Sequence, residues 1–328
     1  MAIDSLEAIQ LGGTTQWIRV RGADDSNPVL LLIQQGPGLP MMNEARRIEH
    51  LLRLEQDFTV VYWDQHGCGR SLRNQTNPVD ISLERMVSDT VSLLELLHGR
   101  FDAKPYVAGF SFGATIGACA AAQRPDLVET LVAVGMDIDG AAAGKSAYDF
   151  ALSTARQRHN RRAIRQLEAI GPPPHLKGKQ FATRVRWASN FGGVATNETY
   201  GSIVRELLAS LVRSPDYTAA DVIRTVRGIT ATQAALLDEI ANMDLVRTLP
   251  RIDVPVVMAQ GRHDKVAPGE AAERYAGGLQ APAKQFVWFE HSAHTPHLEE
   301  PDKFRDLLMQ VRAGQLAQTS DIETGGQS

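Results

Sequence analysis

The sequence predicts an α/β fold, in which a mostly parallel, eight-stranded sheet is flanked by helices and carries an inserted helical cap. Strand-like and helix-like segments alternate over most of the 328 residues, as they do when helices connect parallel strands. The runs Val29–Ile33 and Val254–Met258 are continuously apolar, which is typical of strands covered on both faces. Strand signals nearly disappear between about residues 140 and 240, and this stretch therefore predicts the cap.

The predicted elements follow one another in a regular order. The first two strands are expected to pair antiparallel around the turn Gly12-Gly13. The eight strands are expected at about Leu6–Leu11, Gln16–Val20, Val29–Ile33, Phe58–Trp63, Pro105–Phe110, Val128–Val134, Val254–Gln260 and Gln285–Phe289. The helices between them are expected at about Pro40–Glu55, Leu83–Leu97, Phe112–Arg124, Gly269–Ala276 and Asp302–Val311.

These elements divide the chain into an α/β core of residues 1–139 and 241–313, a cap of residues 140–240 and a tail of residues 314–328. The tail is polar and glycine-rich, and we expect it to be disordered. Between residues 141 and 240 there are 14 basic and 8 acidic residues, whereas the whole chain has a net charge of −4. A solvated helix face would explain this surplus, and so would contact with a neutral or anionic substrate.

The composition disfavours several classes of partner. The negative net charge argues against generic binding to nucleic acid or anionic membranes, and no apolar run approaches the about 20 residues of a membrane span. Two cysteines, Cys68 and Cys119, offer neither a disulfide framework nor a zinc cluster. Residues 1–8 have no signal-peptide pattern, so a cytoplasmic location is expected. We expect a small-molecule substrate, no cofactor and no metal, and leave a homo-oligomer open.

The segment Gly109–Gly113 has the pattern Gly-x-Ser-x-Gly. It lies between an apolar run and a run of small residues, which predicts a strand, a sharp turn and a helix. Such a turn presents the hydroxyl of Ser111 at a helix N-terminus, where developing negative charge is favoured. The pattern therefore indicates a nucleophile, although a simple Gly-Ser turn would have the same letters.

A serine nucleophile needs a base and a group that orients the base, and both follow later strands in the expected order. Asp264 comes just after the strand that ends near Gln260, and Asp137 is a rival acid at the same sheet edge. His294 is the predicted base, with His291 as second choice and His297 a competitor on the same loop. The predicted catalytic triad is Ser111, His294 and Asp264.

Donors for an oxyanion are expected from two places. One is the backbone N–H of Phe112, the residue after the nucleophile. The other is the loop Gln34–Gly38, where Gly36 is the predicted donor and Gln35 the alternative. The glycine-rich loop of residues 64–71 superficially suggests phosphate binding, but it has neither a dinucleotide fingerprint nor a Walker lysine.

These residues resemble the α/β-hydrolase superfamily and, within it, the proline-iminopeptidase-like branch. Residues 64–71 are similar to that branch's D-Q-R-G-x-G-x-S loop, and Gly36–Gly38 to the end of its H-G-G-P-G oxyanion motif. Residues 261–264 and 294–301 are similar to its acid and histidine loops. The resemblance covers nearly the whole core and implies an α/β-hydrolase fold with a serine triad.

Three departures argue against peptidase activity. Gln34-Gln35 replaces the His-Gly of the family motif, and Phe112 follows the nucleophile where the resembled peptidases usually have Trp. Aminopeptidases of this branch bind the substrate ammonium with cap carboxylates, but Phe181–Gly193 contains no Asp or Glu and does contain Arg184 and Arg186. A basic cap would repel an ammonium group.

The sequence therefore predicts a serine hydrolase of a carboxylic ester or lactone, with a bulky aromatic macrolactone of the zearalenone type as one guess. Gln35, Trp187, Phe191 and Tyr200 are the predicted substrate-binding residues, although such aromatics are more often simply core of the cap. A proline iminopeptidase is the alternative. A cofactor-free haloperoxidase, a C–C hydrolase and a ligand receptor that has kept the fold are further alternatives.

Overall fold

The computed structural model describes residues 1–74 and 81–316 and contains one eight-stranded sheet. Its strands begin and end close to the positions that the apolar runs predict. They are β1 (Ile3–Leu11), β2 (Thr14–Gly22), β3 (Val29–Ile33), β4 (Thr59–Asp64), β5 (Tyr106–Phe110), β6 (Leu131–Val134), β7 (Val256–Gly261) and β8 (Lys284–Phe289).

The spatial order of the strands is β1-β2-β4-β3-β5-β6-β7-β8, so β3 and β4 exchange places relative to the chain order. The β1–β2 and β2–β4 pairs are antiparallel, and all later pairs are parallel. The predicted hairpin turn is present, since Gly12 and Gly13 both adopt positive φ between β1 and β2. The carboxyl ends of β3 to β8 therefore meet at one edge of the sheet, where sites in α/β folds form.

Two apolar layers cover the sheet, and β3 explains why its sequence has no polar positions. Leu31 and Ile33 belong to the core on one face, and Leu30 and Leu32 belong to the core on the other. All five residues of β3 are buried. Each such side chain contributes about 1.5–3 kcal/mol relative to an exposed position.

Helices supply the outer side of both layers. The first layer uses α2 (Leu83–Phe101), α3 (Phe112–Gln123) and α10 (Gly269–Gly278), and the second uses α1 (Ala45–Leu52) and α12 (Pro301–Arg312). The short α11 (Pro296–Glu299) comes just before α12. The α3 helix is buried along nearly its whole length and consists of small residues, so it can lie close to the strands. The predicted α/β architecture is thereby confirmed, with strand and helix boundaries shifted by a few residues.

The segment after β6 is helical, and all of it is described. It forms α4 (Gly140–Gln157), α5 (Arg161–Ile170), α6 (Gly178–Asn190), α7 (Tyr200–Arg213) and α8 (Ala219–Ala241), with α9 (Leu245–Thr248) before β7. Side chains of Asp139, Asn160, Thr199 and Thr218 cap the N-termini of α4, α5, α7 and α8. We call residues 140–241 the helical segment; it corresponds to the predicted cap.

The predicted tail is described only in part. Residues 314–316 follow the end of α12, and Leu316 packs against the second apolar layer. Residues 317–328, the rest of the predicted tail, lie outside the described part of the chain.

Candidate active site

Ser111 occupies a tight turn between β5 and α3. Its backbone has φ 54° and ψ −124°, a conformation that non-glycine residues rarely adopt and that stores strain. Close packing of strand and helix explains the flanking glycine, because a Cβ on Gly109 would lie 2.5 Å from the Cα of Ala114. The side chain of Ser111 is thus held at the carboxyl edge of the sheet, at the N-terminus of α3.

His294 connects the serine to an acid. The Oγ–H of Ser111 donates to His294 Nε2 over 2.8 Å, and His294 Nδ1–H donates to Asp264 Oδ2 over 2.8 Å. Asp264 is itself fixed, because its Oδ1 accepts from the backbone N–H groups of Val266 and Ala267. The structure therefore brings together the three residues of the predicted triad in the order needed for proton transfer.

A second carboxylate lies at the nucleophile. Asp137 follows β6, and its Oδ2 lies 3.4 Å from the Oγ of Ser111. Thr115 Oγ1–H donates to the backbone carbonyl of Asp137 over 2.7 Å, which ties this loop to α3. The sequence offered Asp137 as an alternative to Asp264 for the acid that orients the histidine, but it is Asp264 that bonds to His294. Asp137 instead approaches the serine.

The charges around the triad shift the pKa of His294 and of Asp137. Burial alone would disfavour the imidazolium, but the carboxylates of Asp264 and Asp137 outweigh it and raise the pKa of His294 to about 9. Burial raises the pKa of Asp137 to about 6, although the imidazolium of His294 acts in the opposite direction.

The two other histidines of the loop are placed differently. His291 is exposed, and its backbone N–H donates to Glu300. His297 is buried with its ring centroid 4.2 Å from that of Phe110, and burial lowers its pKa to about 3. Neither ring makes a hydrogen bond to Ser111 or Asp264.

The predicted oxyanion loop lies beside the start of α3. A Cβ on Gly113 would lie 2.6 Å from the carbonyl oxygen of Ile33 and even closer to that of Gln34. This close approach brings the loop after β3 next to Phe112. Gly36 has φ 60°, which favours glycine at this turn, and Gln35 beside it is half-buried. Gln34 is buried, and its Nε2–H donates to Gln65 Oε1 over 2.6 Å.

Asp64 joins the loop of residues 64–71 to its surroundings. Its carboxylate accepts from the backbone N–H groups of Met41, Met42 and Arg70, and from the hydroxyl of Tyr217 in the helical segment. The loop is thus filled by its own side chains rather than open for a phosphate. Cys68 in this loop is fully buried, and burial raises the pKa of its thiol.

The helical segment is tied to both catalytic loops through the residues that follow α6. The backbone N–H of His294 donates to the carbonyl of Val194 over 2.9 Å, and that of Lys265 donates to Gly193 over 3.0 Å. The helical segment is therefore attached to the loops that carry Asp264 and His294.

The predicted aromatic substrate residues lie mainly in the core of the helical segment. Trp187 stacks on Phe191 with 5.6 Å between ring centroids, and its indole N–H donates to Gln166. Both residues pack in a cluster with Tyr148 and Leu167. Tyr200 is half-buried at the start of α7. None of these rings makes a hydrogen bond to the triad.

Sequence reasoning missed the orientation of Arg184. This residue lies on α6, and its guanidinium is close enough to Asp137 for each charge to shift the pKa of the other. The two groups share no hydrogen bond or ion pair. No local pattern in the sequence could have linked the two residues, because Asp137 follows a strand of the core whereas Arg184 is one of many basic residues in the helical segment.

Two kinds of feature are absent from the described residues. Within residues 1–74 and 81–316, no three His, Cys, Asp or Glu side chains are grouped in a way that could hold a metal ion. In the same residues, no helix has the length and apolar character needed to cross a membrane.

Comparison with known proteins places the chain in a family. The family model described as "Serine aminopeptidase, S33" matches residues 41–302. The chain is 29% identical over 308 residues to "Probable aminopeptidase YbaC" of Bacillus subtilis (strain 168), covering 94% of this chain and 96% of that protein. It is 23% identical over 306 residues to a proline iminopeptidase of Heyndrickxia coagulans, covering 90% and 94% of the two chains.

The fold agrees with solved structures. A proline iminopeptidase-related protein from Thermus thermophilus superposes with a TM-score of 0.65 at 17% identity, covering 96% of this chain and 99% of that one. The resemblance to α/β-hydrolases of the proline-iminopeptidase-like kind is thereby confirmed. The chain belongs to the serine aminopeptidase S33 family and is a serine hydrolase with the α/β-hydrolase fold.

Proposed function

We propose that this hydrolase works through an acyl-enzyme on Ser111. His294 accepts the proton of the Ser111 hydroxyl as its oxygen attacks the carbonyl carbon, and then donates this proton to the leaving group. A water molecule, deprotonated by His294, next attacks the acyl-enzyme and releases the acid. Asp264 fixes the tautomer of His294 and stabilises its imidazolium. The two 2.8 Å hydrogen bonds of the triad support this assignment.

The oxyanion of the tetrahedral intermediate would be bound by two backbone donors. The N–H of Phe112 is at the N-terminus of α3, and the N–H of Gly36 is on the adjoining loop. The close approach of Gly113 to the loop after β3 supports the pairing of these two donors. The buried hydrogen bond between Gln34 and Gln65 would fix the start of that loop.

The acyl group that fits this site best carries a free amine next to its carbonyl. The observation that carries this proposal is the 3.4 Å distance between Asp137 Oδ2 and Ser111 Oγ. In an α-aminoacyl group, the nitrogen and the carbonyl carbon are only about 2.5 Å apart, because both are bonded to Cα. A carbonyl positioned for attack by Ser111 would therefore bring its ammonium within reach of Asp137.

Asp137 also answers the argument against peptidases that the sequence suggested. The helical segment has no acid between residues 181 and 193, but Asp137, a core residue, can supply the missing carboxylate. The names of the relatives favour the same class, an aminopeptidase or aminoacyl esterase.

A neutral ester or lactone is the second candidate, including a macrolactone of the zearalenone type. The surplus of basic residues in the helical segment favours it, because this charge would repel an ammonium group but not an uncharged acyl group. In that case Asp137 would contribute only to the electrostatics of His294.

One substrate pair separates the two candidates. The 4-nitrobenzyl esters of alanine and of propanoic acid differ only in the amino group. We expect the wild type to prefer the alanine ester in kcat/KM. We expect Asp137→Asn to lower kcat/KM for this ester by about 10- to 100-fold, as for the loss of a hydrogen bond to a charged group.

The propanoate ester is the control, because its cleavage by Asp137→Asn reports an intact triad. A wild type that prefers the propanoate ester, or an Asp137→Asn variant that affects both esters equally, would contradict amine recognition and favour the neutral ester. Ser111→Ala should be inactive on both esters, which excludes a contaminating esterase.

A further inference from the structure

Arg184 is a mostly buried cation that the proposed mechanism does not use. It lies on α6, whose C-terminal extension is bonded to the Asp264 and His294 loops through Gly193 and Val194. Its guanidinium packs against α4 so closely that a Cβ on Gly144 would lie 3.1 Å from Nη1. Since α4 begins just after Asp137, the guanidinium lies on the side of that carboxylate, and each charge shifts the pKa of the other group.

The hydrogen bonds of Arg184 leave its charge unneutralised. Nη1–H donates to His175 Nδ1 over 3.3 Å, and His175 Nε2–H in turn donates to the carbonyl of Gly171 over 2.9 Å. The second bond fixes the tautomer in which Nδ1 is an acceptor. Burial, together with the guanidinium, lowers the pKa of His175, which keeps this ring neutral. The partner of Arg184 therefore orients the guanidinium without pairing its charge.

The remaining edge of the guanidinium has no hydrogen-bond partner among the described residues. Nε is buried and makes no hydrogen bond, and no carboxylate in residues 1–74 or 81–316 forms an ion pair with Arg184. The ring of Phe181, 5.2 Å away, lies against the guanidinium, and the facing charge is that of Asp137. A mostly buried guanidinium with donors to spare is the residue type that recognises carboxylates.

Arg186 on the same helix shows the contrast. Its Nη2–H donates to Gln166 Oε1 over 2.7 Å, and its guanidinium lies 5.7 Å from the ring of Trp187. It therefore belongs to the packing of α5 against α6 and offers a matched control on the same element.

We infer that Arg184 forms a subsite for a carboxylate on the acyl side of the substrate, so that the enzyme prefers acidic aminoacyl groups such as glutamyl. The inference rests on the proposed function, because it places the α-amine on Asp137 and the side-chain carboxylate on Arg184. The two opposite charges, which face each other without pairing, would then each receive a partner from the same acyl group.

The kinetic test uses the 4-nitroanilides of glutamate and glutamine, which have nearly the same shape and differ in charge. We expect the wild type to favour the glutamyl substrate in kcat/KM by at least about 10-fold. Arg184→Met should remove this preference mainly by raising KM for the glutamyl substrate, Arg184→Lys should restore part of it, and Arg186→Met should keep it. Equal rates for the two anilides in the wild type, or an unchanged ratio in Arg184→Met, would overturn the inference.

A binding test separates failure of the inference from failure of the proposed function. The monoamide and the diamide of glutarate, which lack the amine, are titrated calorimetrically into Ser111→Ala with Arg184 intact or replaced by Met. Tighter binding of the monoamide, the compound with the carboxylate, that depends on Arg184 supports the subsite even when no anilide is cleaved. Equal binding of both compounds to both variants refutes the subsite, whatever the esters of alanine and propanoate show.

Discussion

The carboxylate oxygen Oδ2 of Asp137 lies 3.4 Å from the hydroxyl oxygen of Ser111. The same hydroxyl group donates a hydrogen bond to His294. The hydroxyl of Ser111 therefore lies between the imidazole of His294 and a second carboxylate, while the carboxylate of Asp264 accepts a hydrogen bond from the far side of the imidazole. Two carboxylates thus act on one histidine from two sides. This arrangement affects both the substrates that fit and the pH at which His294 can act as a base.

The pH profile should reveal the second carboxylate. His294 acts as a base only when it is neutral, and its pKa is raised to about 9. Activity on a neutral ester should therefore increase as the pH rises above the ordinary range of histidine. In Asp137→Asn one of the stabilising charges is gone while Asp264 and Glu299 remain, so the rise should move to lower pH, by about one unit or more.

The measurement is kcat/KM for the propanoate ester in both proteins, over a range from about pH 5 to about pH 10. This range includes the pKa of an unperturbed histidine, about 6.5. A neutral ester is needed because an amine substrate titrates in the same range. If activity rises at the same pH in Asp137→Asn as in the wild type, Asp137 does not influence the pKa of His294.

Asp264→Asn should inactivate the enzyme through the tautomer of His294. The backbone N–H groups of Val266 and Ala267 would hold the amide oxygen of the new side chain, so that its NH2 group would face Nδ1. His294 would then carry its proton on Nε2 and could not accept the proton of Ser111. We expect kcat to fall by about 10⁴-fold. A loss of less than tenfold, with the fold unchanged by circular dichroism, would remove Asp264 from the triad.

Gly113→Ala should damage both stability and activity. Its Cβ would lie against the backbone carbonyl groups of Ile33 and Gln34, which cannot move without displacing β3. We expect a loss of about 1–3 kcal/mol in the free energy of unfolding, the usual cost of overpacking. Gly178→Ala is the control, since a Cβ there meets nothing within 4 Å. Equal melting temperatures for the two variants would show that α3 and the loop are not in close contact.

Tyr217→Phe tests how the helical segment is joined to the core. The variant removes the hydroxyl that donates to the buried carboxylate of Asp64 and leaves that group with its backbone donors. We expect a loss of about 1–3 kcal/mol in stability, measured by chemical denaturation. Tyr200→Phe is the control, because the hydroxyl of Tyr200 makes no hydrogen bond within the described residues. A Tyr217→Phe variant as stable as this control would refute the role of Tyr217.

The sequence could predict the sheet and the triad because both depend on local patterns. Continuous apolar runs such as Val29–Ile33 specify buried strands. Ser111 directly follows β5, and Asp264 and His294 lie in the loops that follow β7 and β8. The parallel topology then brings Ser111, Asp264 and His294 to one edge, whatever lies between them in the chain.

The rest of the site depends on distances that no local pattern reports. Asp137 also follows a strand, but only the packing of α3 shows that it approaches Ser111 rather than His294. Arg184 and Arg186 are two residues apart and look equivalent in the sequence, yet one faces Asp137 and the other Gln166. The packing of α4, α5 and α6 against one another determines how these arginine side chains are oriented.

The most direct test of the central assignment is covalent labelling of the nucleophile. The wild-type protein is treated with a fluorophosphonate, and the adduct is located by mass spectrometry of the intact protein and its peptides. We predict one adduct per chain on Ser111, none in Ser111→Ala, and loss of hydrolytic activity in proportion to labelling. An unlabelled Ser111 in a folded protein, or full hydrolytic activity in Ser111→Ala, would contradict the account.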